Sequence, residues 1–143
     1  MMYKSILVPV DILEEELTGN AVKHAVYLAK LSDAKMRLLH VLPISSAIIN
    51  SYALGYPELK DKASVKAEED LKKLADSIDL PVGQVSYSIA FGSPRDEIAV
   101  VASEVSADLI VIGSRRPNIT THLLGSNASG IVRYANTCVL VVR

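Results

Sequence analysis

Five short apolar runs recur along the chain, and the segments between them have the spacing of amphipathic helices. The first run, "ILVPV", is mostly β-branched and unbroken, which predicts a strand that is covered on both faces of a sheet. The five runs span residues 6–10, 36–42, 85–91, 108–113 and 138–143.

The segment between the first two runs shows the helical pattern clearly. Apolar side chains recur there on one face of a helix; they are Ala21, Val22, Ala25, Leu28 and Ala29. Thr18 is the predicted N-cap of this helix, and Ser32-Asp33 is its predicted end.

Two later segments also predict helices. The charge-rich residues 58–78 have one apolar face, so they predict a long surface helix whose charges are solvated. The sequence "GSPRDEI" predicts a helix start, with Ser93 as N-cap and Pro94 at the first helical position.

The third apolar run differs from the others because serines alternate with its apolar residues. One face of this strand is therefore wetter, which is typical of an edge strand. The whole pattern predicts an α/β fold: a single open doubly wound domain over residues 1–143. It contains a five-stranded parallel sheet in the order 3-2-1-4-5 with helices on both faces. A crevice is then expected between strands one and four, at their carboxyl ends.

Composition narrows the classes of function. Fifteen basic and sixteen acidic residues give a net charge of -1, so no overall field favours nucleic acid. No apolar run reaches the roughly 20 residues of a membrane span, and no signal peptide is evident. The single cysteine, Cys138, fits a reducing compartment and is expected to be a small buried apolar residue. The expected location is the cytoplasm.

The loop after the fourth strand gathers many hydrogen-bond donors before the last helix. A helix N-terminus favours anions, so these donors predict a phosphate site at the crevice. They are Gly113, Ser114, Arg115, Arg116, His122, Gly125, Ser126 and Asn127. The alternative, a simple helix cap with solvated arginines, stays open. Asp11 ends the first strand and could accept from a ribose hydroxyl or hold Mg²⁺ through water, or it could serve only as a turn residue.

The fragments "ILVPVD", "LLHVLP", "GSPRDEI", "ADLIVIGS", "LLGSNASGIVRYA" and "CVLVVR" together resemble the universal stress protein family. The likeness is greatest to its small F- and G-type bacterial members. The resemblance implies binding of ATP, or of AMP or ADP, and a homodimer through the last strand. It places Pro9, Val10 and Asp11 in the strand-one motif, on the adenosine side, and the backbone of Val41 against adenine.

The loop departs from the family's glycine motif at one position. Gly113 and Gly125-Ser126 match its two ends, but Arg116 stands where the middle glycine would be. Only eight residues separate Arg116 from Gly125, where the family has nine. Two arginines can neutralise phosphate charge in compensation, so Arg115 and Arg116 are candidate phosphate contacts.

Enzyme classes are poorly supported. The chain has no P-loop and no Gly-x-Ser-x-Gly elbow, and its three histidines are too scattered for a metal site. No metal site is expected from the protein alone, although Mg²⁺ would accompany ATP near Asp11. Because no general base is identifiable, the preferred function is an ATP-binding stress-response protein whose nucleotide is a signal or conformational ligand. The family also implies slow hydrolysis or autophosphorylation. The alternative is a partner-interaction module of the same fold without nucleotide.

The last strand predicts self-association independently of the resemblance. The run "CVLVV" would expose a long uncharged edge if it lay at the end of the sheet. Symmetric pairing of 138–143 with a second copy would cover it, with higher oligomers left open.

Overall fold

The computed structural model of the chain describes residues 2–11, 15–42, 56–114 and 126–143. Strands and helices alternate within them. In chain order they are β1 (Ser5–Pro9), α1 (Glu15–Ser32), β2 (Lys35–Leu42), α2 (Tyr56–Asp76), β3 (Val85–Phe91), α3 (Pro94–Glu104), β4 (Leu109–Gly113), α4 (Ser126–Tyr134) and β5 (Cys138–Val142). Each strand begins and ends within one residue of its predicted bounds.

The strands form one parallel sheet in the order β3-β2-β1-β4-β5. The predicted fold class, strand order and edge position of β3 are therefore confirmed. Successive strand residues point to opposite faces, so the sheet has two separate core layers. This arrangement requires apolar side chains at almost every position of the central strands, as the short runs provide.

One core layer lies under α1 and α2, and the other under α3 and α4. Ile6 and Val8 of β1 belong to the first layer, with Ala25 of α1 and Leu71 of α2. Leu7 of β1 belongs to the second, with buried residues that include Ile98, Ile110, Ala128 and Ile131. Helices on both faces hold β1 and β4 in a dry interior, so the carboxyl ends of these strands are fixed in place.

The start of α1 corrects the sequence prediction. The helix begins at Glu15, so Thr18 lies inside its first turn and is not the N-cap. The end of the helix at Ser32 is as predicted. Ser93 does occupy the N-cap position of α3, with Pro94 following it, but its side chain makes no capping hydrogen bond.

Both α1 and α3 end in a left-handed residue that is not glycine. Asp33 has φ 54° and Ser106 has φ 51°. The following amides donate back into the last helical turn, Ala34 to the carbonyl of Ala29 and Ala107 to that of Ala102. These are Schellman-type ends, in which glycine avoids the strain that a Cβ atom causes.

Cys138 was expected to be buried, and this expectation is wrong for the single chain. The residue is exposed at the start of β5, which is an edge strand with a neighbour on one side only. The β5 run is apolar throughout, yet only Val142 is fully buried in it. Among the described residues, no helix has the length and apolar character needed to cross a lipid bilayer.

Candidate functional site

The sheet opens between β1 and β4 toward its carboxyl edge. β1 pairs with β2 along its whole length, from Ser5↔Lys35 to Pro9↔Leu39. Its pairing with β4 comprises Ile6↔Leu109 and Leu7↔Ile110 only. The central strands therefore separate after Leu7, before β1 reaches its end at Pro9, and they do so at the point where the strand order reverses.

Pro9 explains this separation. The amide of Val10 donates to the carbonyl of Leu39 in β2 at 2.8 Å. Backbone groups alternate in direction along a strand, so the nitrogen of the preceding residue, Pro9, points toward β4. Proline has no N–H to donate, and the β1–β4 ladder cannot continue there. The predicted site residue Pro9 thus shapes the crevice.

The other two strand-one residues lie at the mouth of this crevice. Val10 has its side chain in the core, and its carbonyl oxygen lies 3.1 Å from Nδ1 of His40. Asp11 is half-buried. The Thr18 hydroxyl accepts from the amide of Asp11 at 3.1 Å and donates to its carbonyl at 2.7 Å. The α1 helix therefore holds the backbone of Asp11 against the end of β1.

The backbone of Val41 faces the same opening. The amide of Met36 donates to Gln84 and the carbonyl of Leu42 accepts from Gly92, both on the β3 side of β2. By alternation, the N–H and C=O of Val41 point to the β1 side, two residues beyond the last β1–β2 pair at Leu39. The predicted backbone donor and acceptor are thus directed toward the end of β1.

The β4 side of the crevice is described only at its two ends. Gly113 ends β4, and Ser114 follows it with its amide donating to Val142 at 2.8 Å. The Ser114 side chain is 2% exposed, so it lies inside the fold in this state. α4 begins at Ser126, and Asn127 is exposed in its first turn. The predicted contacts Arg115, Arg116, His122 and Gly125 lie outside the described residues.

A second concavity lies between α3 and α4, away from the crevice. Its volume is about 260 Å³, and its lining includes Arg95, Ile131 and Tyr134. The guanidinium carbon of Arg95 lies 5.3 Å from the centroid of the Tyr134 ring. Neither this contact nor the hydrogen bonds of Thr18 and His40 at the crevice could be predicted from the sequence. These interactions join residues that are far apart in sequence, or a side chain to a backbone group. The periodicity of apolar residues does not predict such interactions.

In the part of the chain that the structure describes, few charged side chains border the crevice. Within residues 2–11, 15–42, 56–114 and 126–143, no group of three or more His, Cys, Asp or Glu side chains could hold a metal ion. The site can therefore offer backbone groups, the carboxylate of Asp11 and the amino end of α4. Such an arrangement suits a ligand with its own charge and hydrogen-bonding edges.

The fold defines a doubly wound α/β protein whose sheet opens at its topological switch point. A sequence model of the universal stress protein family matches residues 2–143. The chain belongs to the universal stress protein family, as its sequence motifs predicted, and its similarity is to the G type. It is 44% identical over 143 residues to universal stress protein G of Shigella flexneri, covering 99% of this chain and all of that protein.

Solved structures support the same assignment. The structure of MJ0577, a universal stress protein of Methanocaldococcus jannaschii, matches with a TM-score of 0.82 at 32% identity, over 99% of this chain and 96% of that one. A universal stress protein from Archaeoglobus fulgidus in complex with dAMP matches with a TM-score of 0.73 at 25% identity, over the full length of both chains. The family and the fold are thus established for this chain.

Proposed function

We propose that this protein binds an adenine nucleotide, ATP in particular, in the crevice between β1 and β4. The separation of these strands at Pro9 is the observation that carries the proposal, because ligands of open α/β sheets bind where the strand order reverses. The dAMP complex of the Archaeoglobus fulgidus relative supports an adenine nucleotide as the class of ligand.

The residues around the crevice fit the components of such a ligand. The backbone of Val41 would meet the adenine edge, and the carboxylate of Asp11 would accept from a ribose hydroxyl. Phosphates would lie against Gly113, Ser114 and the amino end of α4, where Ser126 and Asn127 begin the helix. Arg115, Arg116, His122 and Gly125 are proposed phosphate contacts from sequence alone. Mg²⁺ would be held mainly by the phosphates, close to Asp11.

The nucleotide would act as a signal or a conformational ligand in a cytoplasmic stress-response protein, with the whole of 1–143 as one universal stress protein domain. Hydrolysis or autophosphorylation would be slow, since no described side chain at the crevice is placed as a general base. A partner-binding module that uses the same fold without nucleotide is the competing function.

Direct ligand analysis tests the proposal. Purified protein is denatured and the supernatant analysed for nucleotides, and thermal shifts are compared for ATP with Mg²⁺, AMP, NAD and FMN. At a ligand concentration of 100 Kd, specific binding should add about 2.7 kcal/mol of stability. The absence of both a recovered adenine nucleotide and a shift at millimolar ATP would favour the partner module instead.

An Asp11→Asn variant tests the placement of the nucleoside end. Replacing the carboxylate by an amide keeps its size but removes the charge, so ATP affinity should fall about tenfold through a weaker hydrogen bond to ribose. Asp79→Asn is the matched control, because Asp79 is exposed and pairs with Lys30 on the surface. Equal ATP affinity in both variants would contradict the placement at Asp11.

We also propose that the protein forms a homodimer through β5. Val139 and Val141 direct their backbone groups away from β4, because Val142 faces it and the direction alternates. The β5 residues between Cys138 and Val142 are apolar and only partly buried, so this edge has no cover within the described chain. A second copy that pairs along β5 would cover it.

A further inference from the structure

The imidazole of His40 joins the ends of β1 and β2 beside the crevice. The residue is 6% exposed, and its Nδ1 lies 3.1 Å from the carbonyl oxygen of Val10. A carbonyl oxygen only accepts hydrogen bonds, so Nδ1 carries the proton in this interaction. The ring is therefore a buried donor with a defined acceptor, and none of the nucleotide contacts proposed above uses it.

This hydrogen bond takes the place of a backbone interaction. If the β1–β2 ladder continued one step further, the N–H of Val41 would donate to the carbonyl of Val10. The ladder is intact up to the amide of Val10, which donates to Leu39 at 2.8 Å. At the next step of the ladder, the Val10 carbonyl oxygen instead accepts a hydrogen bond from the His40 ring. The N–H of Val41 is then directed past the end of β1.

The same interaction fixes the peptide plane that leads to Asp11. The carbonyl of Val10 and the amide N–H of Asp11 belong to one peptide unit. His40 binds the oxygen of this unit, and the Thr18 hydroxyl accepts from its N–H at 3.1 Å. Two side chains, from β2 and α1, thus hold both polar groups of the plane. Its orientation sets the direction in which the Asp11 side chain leaves the backbone.

We propose that His40 is a positioning residue for the nucleoside end of the site, an inference that rests on the nucleotide binding proposed above. It acts in two ways through one hydrogen bond. It releases the N–H of Val41 from the ladder so that this group can donate to the base, and it orients Asp11 toward the ribose. His40 itself does not contact the ligand, and the phosphate side of the site is independent of it.

An isosteric pair of variants separates this role from simple packing. Leucine and asparagine have the same branched shape, but only asparagine keeps an N–H near the position of Nδ1. His40→Asn should bind ATP within about twofold of the unmodified protein in calorimetric titrations. His40→Leu should bind it about tenfold more weakly, the usual effect of one lost hydrogen bond. Inorganic tripolyphosphate, which lacks the nucleoside, should bind all three proteins alike.

The outcomes distinguish the two proposals. An unmodified protein that binds no adenine nucleotide contradicts the proposed function and this inference with it. If the unmodified protein binds ATP while the leucine and asparagine variants bind it equally well, only the role of His40 is wrong. Should His40→Leu not fold, nitrogen NMR of the unmodified protein decides. A proton on Nδ1 in the ATP complex supports the role, and an unprotonated Nδ1 overturns it.

Discussion

The Cδ atom of Arg95 in α3 lies 2.7 Å from the position that a Cβ atom would occupy on Gly130 in α4. Real Cβ atoms do not approach other atoms so closely, so the Arg95 side chain crosses α4 only because residue 130 is glycine. This close approach brings the guanidinium over the Tyr134 ring, with 5.3 Å between the guanidinium carbon and the ring centroid. The two helices are thereby linked through an arginine stem.

Gly130→Ala should therefore depend on Arg95. In a helix, alanine is more favourable than glycine by about 1 kcal/mol. When Arg95 is present, this gain is offset, because the added methyl group displaces Arg95 from Tyr134. The displacement removes about 0.5–1 kcal/mol of cation–π attraction. In an Arg95→Ala background the full gain should appear. Urea unfolding of the four proteins measures the coupling, and strictly additive effects would contradict the contact.

Pro9→Val should narrow the crevice. The valine supplies an N–H directed toward β4, so the two strands can pair further, and ATP affinity should fall severalfold. Stability should change by less than about 1 kcal/mol, because the new hydrogen bond offsets the lost rigidity of proline. Slow hydrogen exchange of the new amide would confirm the pairing. Pro94→Ala, at the start of α3, is the control and should leave ATP affinity unchanged.

Glycine at the two left-handed helix ends should stabilise the protein. Asp33 and Ser106 adopt left-handed φ values of 54° and 51° without glycine's freedom, so Asp33→Gly and Ser106→Gly should each raise the free energy of unfolding by about 0.5–1 kcal/mol. Ser103→Gly, inside α3, should lower it by a similar amount. Thermal unfolding measures all three. A loss of stability at both left-handed positions would show that the native side chains contribute more than the strain costs.

The proposed dimer can be tested at one backbone group. Val141 directs its N–H to the free edge of β5, so Val141→Pro removes a donor of the interface and spares the β4–β5 ladder. Light scattering after size exclusion should find a monomer. Val141→Ala loses comparable packing but keeps the N–H, and it should remain a dimer. A monomeric unmodified protein at micromolar concentration, or a dimeric proline variant, would contradict pairing through this edge.

The sequence predicted the strands and their order well because these depend on short-range pattern. Within the run 108–113, residues 109–112 are all apolar, which is typical of a short strand covered on both faces. The serines of β3 likewise indicated a more polar strand at the edge of the sheet: Ser86 is exposed, and both Ser86 and Ser88 accept hydrogen bonds from the guanidinium of Arg37. Pro9 and Asp11 could be placed at the crevice because strand order alone fixes where the central strands separate.

The sequence-based predictions were wrong or incomplete where an interaction joins residues that are distant in sequence, because no local pattern of residues marks it. Cys138 has an apolar neighbourhood in sequence, but its burial depends on whether another strand lies beside β5. Thr18 has the character of a cap residue, but α1 begins earlier, at Glu15, and the Thr18 hydroxyl binds the backbone of Asp11 instead. The bond from His40 to Val10 joins two strands that are thirty residues apart. No periodic pattern encodes a side chain that binds the backbone of a neighbouring strand.

The strand order also constrains how the polypeptide matures on the ribosome. The segment up to Phe91 contains β1, β2 and β3, which are adjacent in the sheet and can assemble as soon as they emerge. The other side of β1 has no partner until Leu109–Gly113 is translated. During that interval the β4-facing side of β1 is an unpaired strand edge, and Pro9 already leaves it one N–H donor short. The proline that ends the β1–β4 pairing in the folded protein thus also disfavours pairing of this edge with a wrong strand during synthesis.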